Sequence, residues 1–200
     1  MTPQQFEQIQ ARLNRPQRAA SPVFESSVKP APGARQIILG VDPSLRGTGF
    51  GMIKMAKPHP QVLAQGTIHC PAGWERSRCL AKIHETLRDL LAKNRPDACA
   101  IEGLFYAQNL QTALIMGEAR GAALAAVAEL GVDIFEIAPR KMKQAIVGYG
   151  AAQKSAVAKM VQRMLHLAEP PDPDAADALA LAIAFTQESG RLGLTPPKRV

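Results

Sequence analysis

Residues 37–55 read IILGVDPSLRGTGFGMIKM. The apolar run IILGV ends on Asp42. PSLRGT then supplies turn residues, and GFGMIKM resumes the apolar pattern, which predicts two strands joined by a tight loop. VLAQGTIHC at 62–70 predicts a third strand, and three strands with short links predict an antiparallel meander. Beyond it the period changes. Leu80, Ile83, Leu87, Leu90 and Leu91 fall at helical spacing within Ser77–Lys93, and Asn94-Arg95-Pro96-Asp97 ends that helix before the strand-like ACAIEG of 98–103.

The second half alternates in the same way. A long Ala-rich helix is predicted over Asn109–Leu130, a strand at VDIFEIA (132–138), and helices near 140–146, 152–167 and 174–188. Elements in the order βββαβαβα predict an α/β fold, a mixed sheet of roughly five strands flanked by helices. Residues 1–35 mix Pro, Gln, Ser and Arg, with only a short helical pattern at Phe6–Leu13, and predict a largely disordered extension. The folded domain is expected over 36–189, followed by a basic tail at 190–200.

The 200-residue chain carries a net charge of +7 and a pI near 9.6, a balance that favours an anionic partner such as nucleic acid. Residues 1–36 hold five basic and two acidic side chains and residues 190–200 hold three basic and none acidic, so the ends supply +6 of that charge. The body is nearly neutral but polarised: Ile137–Ala168 contains Arg140, Lys141, Lys143, Lys154, Lys159 and Arg163 and no acid. No apolar run approaches the roughly 20 residues of a membrane span. The N-terminus lacks a signal-peptide core, and Cys70, Cys79 and Cys99 show neither metal spacing nor a disulfide framework. These features predict a cytoplasmic protein with no membrane role.

Carboxylates are the sharpest local signal. Asp42 closes one predicted strand and Glu102 another, and adjacent strands would put both on one rim. The plain alternative is that Asp42 caps the turn and Glu102 is a solvated strand end. In PPDPDAADALALAIAF (170–185), Asp172-Pro173 reads as an N-cap and first helical residue, so Asp174 and Asp177 share one face of the opening turn. Favourable interaction with the helix dipole accounts for Asp172. It accounts poorly for Asp177, which lies past the first turn of a helix too apolar for free solvation and needs a partner, most economically a cation. An all-oxygen donor set suits Mg²⁺ or Mn²⁺, and carboxylates beside a basic surface suit two-metal phosphodiester hydrolysis.

Five blocks, IILGVDPSLRGTGFG, AIEGLFYAQN, GEARGAA, KQAIVGYGAAQKSAV and DAADALALAIA, together resemble the RuvC family of bacterial Holliday-junction resolvases over about residues 36–188. DPSLRGTG alone would indicate only the wider RNase H-like superfamily. The resemblance implies an RNase H-like fold and a homodimer. It also implies two Mg²⁺ or Mn²⁺ ions per active site and paired symmetric nicking of four-way junction DNA in recombination and repair, in partnership with the RuvA–RuvB branch-migration complex. By position it places the metal-binding catalytic carboxylates on Asp42, Glu102, Asp174 and Asp177, base stacking on Phe105, and DNA contacts on Lys143 and Lys154. From the residues alone, Phe105 also reads as a buried flank residue and each lysine as a solvated one. The Ala-rich helix reads as core or, following the resemblance, as a dimer contact.

Two departures from the family pattern stand out: about 35 residues precede the first strand, and Ser44 stands where Gly is common. Two other readings remain open at this stage. One is an RNase H-like nuclease for another branched or RNA-containing substrate, and the other is a DNA-binding module without catalysis.

Overall fold

The computed structural model describes residues 36–103, 109–190 and 198–200. Its elements run β1 (Ile37–Asp42), β2 (Gly47–Lys54), β3 (Gln61–His69), α1 (Arg76–Asn94), β4 (Ala98–Glu102), α2 (Leu110–Glu129), β5 (Asp133–Ile137), α3 (Pro139–Val147), α4 (Lys154–Met164), α5 (Pro173–Gly190) and β6 (Lys198–Arg199). One sheet holds all the strands in the order β3-β2-β1-β4-β5-β6. β1–β2, β2–β3 and β5–β6 pair antiparallel, and β1–β4 and β4–β5 pair parallel.

The expected α/β architecture is present, with one strand more than predicted. β6 is a two-residue pairing of Lys198 and Arg199 with Glu136 and Phe135, reinforced by an Arg199–Asp133 ion pair. Two residues are too few to show any period in the sequence. The predicted short helix at Phe6–Leu13 lies outside the described residues. The three cysteines are buried and free, and no helix among the described residues is long and apolar enough to cross a membrane.

Strand parity divides the interior into two cores. Leu39, Val41, Met52, Cys99 and Ile101 point to one face and pack with Cys79, Ile83, Leu87 and Leu91 of α1 and with Ala119, Ala123 and Val127 of α2. Ile38, Ile53, Ala98 and Ala100 point to the other, where they meet α3, α4 and α5. Each large apolar side chain fully buried this way contributes about 1.5–3 kcal/mol.

α5 is the central element of that second face. Residues Ala175–Phe185 are buried without a break, because α5 lies between the sheet and the pair α3–α4. A helix covered on all sides has no polar face to show, which explains ALALAIAF. Its seat on the sheet is made of glycine. A Cβ at Gly40 would stand 1.8 Å from the Ala178 carbonyl oxygen, one at Gly49 2.0 Å from the Asp174 carbonyl oxygen, and one at Gly51 2.6 Å from Leu179 Cγ. Gly40 and Gly51 face each other in the β1–β2 register, so the helix backbone rests on a surface without side chains.

Gly40→Ala is therefore expected to lose about 3 kcal/mol or more of unfolding free energy, at or beyond the upper end of overpacking costs. Gly73→Ala, where a Cβ meets nothing within 4 Å, should change it by about 0.5 kcal/mol or less. Denaturant unfolding of both variants checks this, and equal effects would contradict the close seating of α5.

Candidate active site

The same parity sets the site. Ile38, Gly40 and Asp42 share one face of β1, and Ala98, Ala100 and Glu102 share the same face of β4. Val41 pairs with Ile101, so the next residues, Asp42 and Glu102, emerge side by side where the two parallel strands end. Both are half-buried, and their side chains share a hydrogen bond. The Glu102 carboxyl is pushed up to about 8, first by burial, then by the charge of Asp42, the hydrogen bond to it, and the charge of Asp177. Asp42 is also raised, chiefly by burial and by Asp177 and Asp174, against which the Glu102 hydrogen bond and Lys154 pull down. The pair thus keeps a proton near neutral pH.

α5 brings the other two acids. With Pro173 at its first position and Gly49 beneath the backbone of Asp174, the opening turn of the helix is held over β2. Asp177 is only 5% exposed. Its Oδ2 receives the Lys154 ammonium at 2.9 Å, and Asp174 Oδ1 stands 3.9 Å from the same nitrogen. Burial works against the charge on Lys154, but Asp177, Asp42 and Asp174 outweigh it and leave the ammonium above its ordinary pKa. Asp177 Oδ1 is buried and has no hydrogen-bond partner. Leaving such an atom unpaired is costly, and its presence calls for an explanation.

Asp42, Glu102, Asp174, Asp177 and Lys154 therefore meet on one rim. Lys143 does not join them: it is half-buried on α3 and forms no described ion pair with the cluster. Phe105 lies outside the described residues. One contributor went unassigned from sequence. Arg120, in the GEARGAA block, donates from Nε to the Glu102 carbonyl oxygen (3.3 Å) and from Nη2 to Glu136 Oε2 (2.5 Å). With the Gly103 N–H donating to the Ile137 carbonyl, it fixes the end of β4. On the other strand, the Thr48 hydroxyl donates to the Ser44 carbonyl (2.6 Å) and accepts from the Ser44 N–H (3.3 Å), closing the loop behind Asp42.

As they stand, no three carboxylate, imidazole or thiol groups among the described residues are gathered closely enough to grip one ion. The positive charge inside the cluster is the Lys154 ammonium. The donor set nevertheless fits a hard divalent cation: four carboxylates, no sulfur or imidazole, and in Asp177 Oδ1 a buried oxygen without a partner.

The model of the family "Crossover junction endodeoxyribonuclease RuvC" matches residues 38–185. The RuvC crossover junction endodeoxyribonuclease of Akkermansia muciniphila is 42% identical over 146 residues, covering 73% of this chain and 87% of that protein. Its counterpart in Ruminiclostridium cellulolyticum is 44% identical over 158 residues, covering 78% and 95%. Among solved structures, T. thermophilus RuvC in complex with a Holliday junction substrate superposes with a TM-score of 0.71 at 31% identity, covering 76% of this chain and 93% of that one. Similarity of sequence along the whole folded body and of backbone course lead to one assignment: the chain belongs to the RuvC family of crossover junction endodeoxyribonucleases.

Proposed function

We propose that this chain resolves Holliday junctions by hydrolysing phosphodiester bonds at the rim where Asp42, Glu102, Asp174 and Asp177 meet. The observation that carries the reading is that convergence itself, in which two parallel strand ends and one buried helix turn deliver acids to a single place. The four carboxylates would hold divalent cations of the Mg²⁺ or Mn²⁺ kind, two per site, which when bound supply a water of lowered pKa and a polarised phosphate. Lys154 offsets part of the cluster's charge in the metal-free protein and would meet an incoming phosphate once the acids turn to metal. Lys143, with the acid-free surface of Ile137–Ala168, would hold the DNA backbone, and Phe105 would stack on an unpaired base.

Paired nicks require paired sites. α2 presents Leu110 and Leu114, 76% and 58% exposed, followed along the same face by Gly121 and Ala125, both exposed. A second copy packed on this stripe would give a homodimer whose two-fold axis matches a symmetric junction. The RuvA–RuvB branch-migration complex completes the proposed set of partners.

Three outcomes are expected. Asp174→Asn should bind a synthetic four-way junction within about twofold of the wild type while nicking more than about 100-fold more slowly, beyond the loss usual for groups outside the ligand shell; near-normal nicking would remove Asp174 from the ligand set. Cleavage of an RNA–DNA hybrid in preference to the junction would instead point to a different RNase H-like substrate. Lys143→Ala should weaken junction binding and reduce the slope of log affinity against log salt by about 1, whereas an unchanged slope would return Lys143 to a solvated role.

The third concerns pH. Because Glu102 is raised to about 8, the folded metal-free protein holds a proton that the unfolded chain has released, so this group's stabilising contribution falls as pH rises from about 4.5 to about 8. A bound cation must displace that proton. Mn²⁺ affinity by calorimetry should therefore strengthen as pH rises to about 8 and then level, with proton release near pH 7. Constant affinity across that window would contradict the shared proton.

A further inference from the structure

Among the described residues, two buried side-chain polar atoms lack a hydrogen-bond partner: Asp177 Oδ1, within the carboxylate cluster, and Thr67 Oγ1. Thr67 is in β3, directly opposite Gly49. That register puts its side chain on the face of the sheet that carries α5. The second coordinate comes from Gly47: a Cβ there would lie 2.9 Å from Asp174 Oδ2 and 3.6 Å from Thr67 Cγ2. Thr67 and the inner oxygen of Asp174 thus flank one gap, kept open because residue 47 has no side chain.

We propose that Thr67 is a positioning residue for Asp174: its hydroxyl donates to Oδ2 when the carboxylate turns inward to hold a metal ion, leaving Oδ1 for the ion. This rests on the reading above that Asp174 is a metal ligand. A hydroxyl can donate, and a carboxylate only accepts, so the direction of the bond is fixed. In the present arrangement Asp174 is 37% exposed and leans toward Lys154, with Oδ1 at 3.9 Å from the ammonium. The Thr67 hydroxyl waits without a partner for the carboxylate's other position. A buried hydroxyl unpaired in one state and bonded in the next trades stability of the first for order in the second.

Thr67→Val keeps the shape and removes the hydroxyl; Thr67→Ser keeps the hydroxyl. In the full-length protein without metal, Thr67→Val is expected to melt at or above the wild-type temperature, since it deletes an unsatisfied group. Its Mn²⁺ affinity should fall about 10-fold, and the Mg²⁺ concentration for half-maximal nicking should rise similarly, a loss typical of groups that orient a ligand. Thr67→Ser should restore most of both. Adding Thr67→Val to Asp174→Asn should cost no further Mn²⁺ affinity, because the two act through one carboxylate. Unchanged Mn²⁺ affinity in Thr67→Val, a melting temperature lowered by several degrees, or full additivity with Asp174→Asn would overturn the assignment. Failure of the wild type to bind Mn²⁺ would instead overturn the metal reading beneath it.

Discussion

The seating of one helix on bare backbone is the constraint on which the rest depends. α5 approaches the sheet so closely that its own carbonyls occupy the places where side chains of Gly40 and Gly49 would be. Three consequences follow together. From Ala175 to Phe185 the helix is buried on every side and is built almost wholly from Ala, Leu, Ile and Phe. Its first turn is fixed over β2, so Asp174 and Asp177 are delivered to the strand ends, Asp174 partly exposed and Asp177 buried. Finally, Asp177 is carried into a place where a carboxylate cannot remain unaccompanied.

The charge arrangement at the rim follows from that geometry. Four acids drawn together in a half-buried site cannot all ionise without counter-charge. Two remedies serve: Glu102 is raised to about 8 by burial and by Asp42, so it keeps its proton near neutral pH, and Lys154 leans onto Asp177 and Asp174. Both are reversible. A proton can leave, and a lysine on the first turn of α4 can swing to a phosphate. The site is then only partly compensated in the absence of metal, and under the proposed function cations would replace that compensation. Arg120, bonded to the carbonyl of Glu102 and to Glu136, links the end of β4 to α2, the helix with the exposed apolar stripe.

Much of this was legible in the residues. The apolar runs closing on Asp42 and Glu102 defined two strands and their terminal acids, since strands covered on both faces read as continuous apolar runs. The excess of apolar residues after Asp177 announced both a covered helix and an acid in need of a partner. The partner's identity was not legible: Lys154 was expected on DNA, and its contact with Asp177 depends on how α4 crosses α5, a tertiary fact without local pattern. Helix ends were least well set. The predicted helix at 152–167 is shorter, Lys154–Met164, because the chain leaves helical geometry at Leu165 and His166 adopts a positive φ of 51°. β6 escaped notice for its length, and Thr67 because one threonine in a strand carries no signal until its hydroxyl is found buried and unpaired in the strand that borders the Asp174 gap.

The central claim, that α5 completes a metal-holding rim with β1 and β4, is tested most directly by anomalous diffraction from crystals soaked in Mn²⁺. Density bridging the carboxylates of Asp42 and Asp177, with Glu102 and Asp174 drawn toward it and the Lys154 ammonium displaced, is the predicted result. Manganese bound elsewhere, with Lys154 still against Asp177 and no peak between the strand ends and α5, would contradict it.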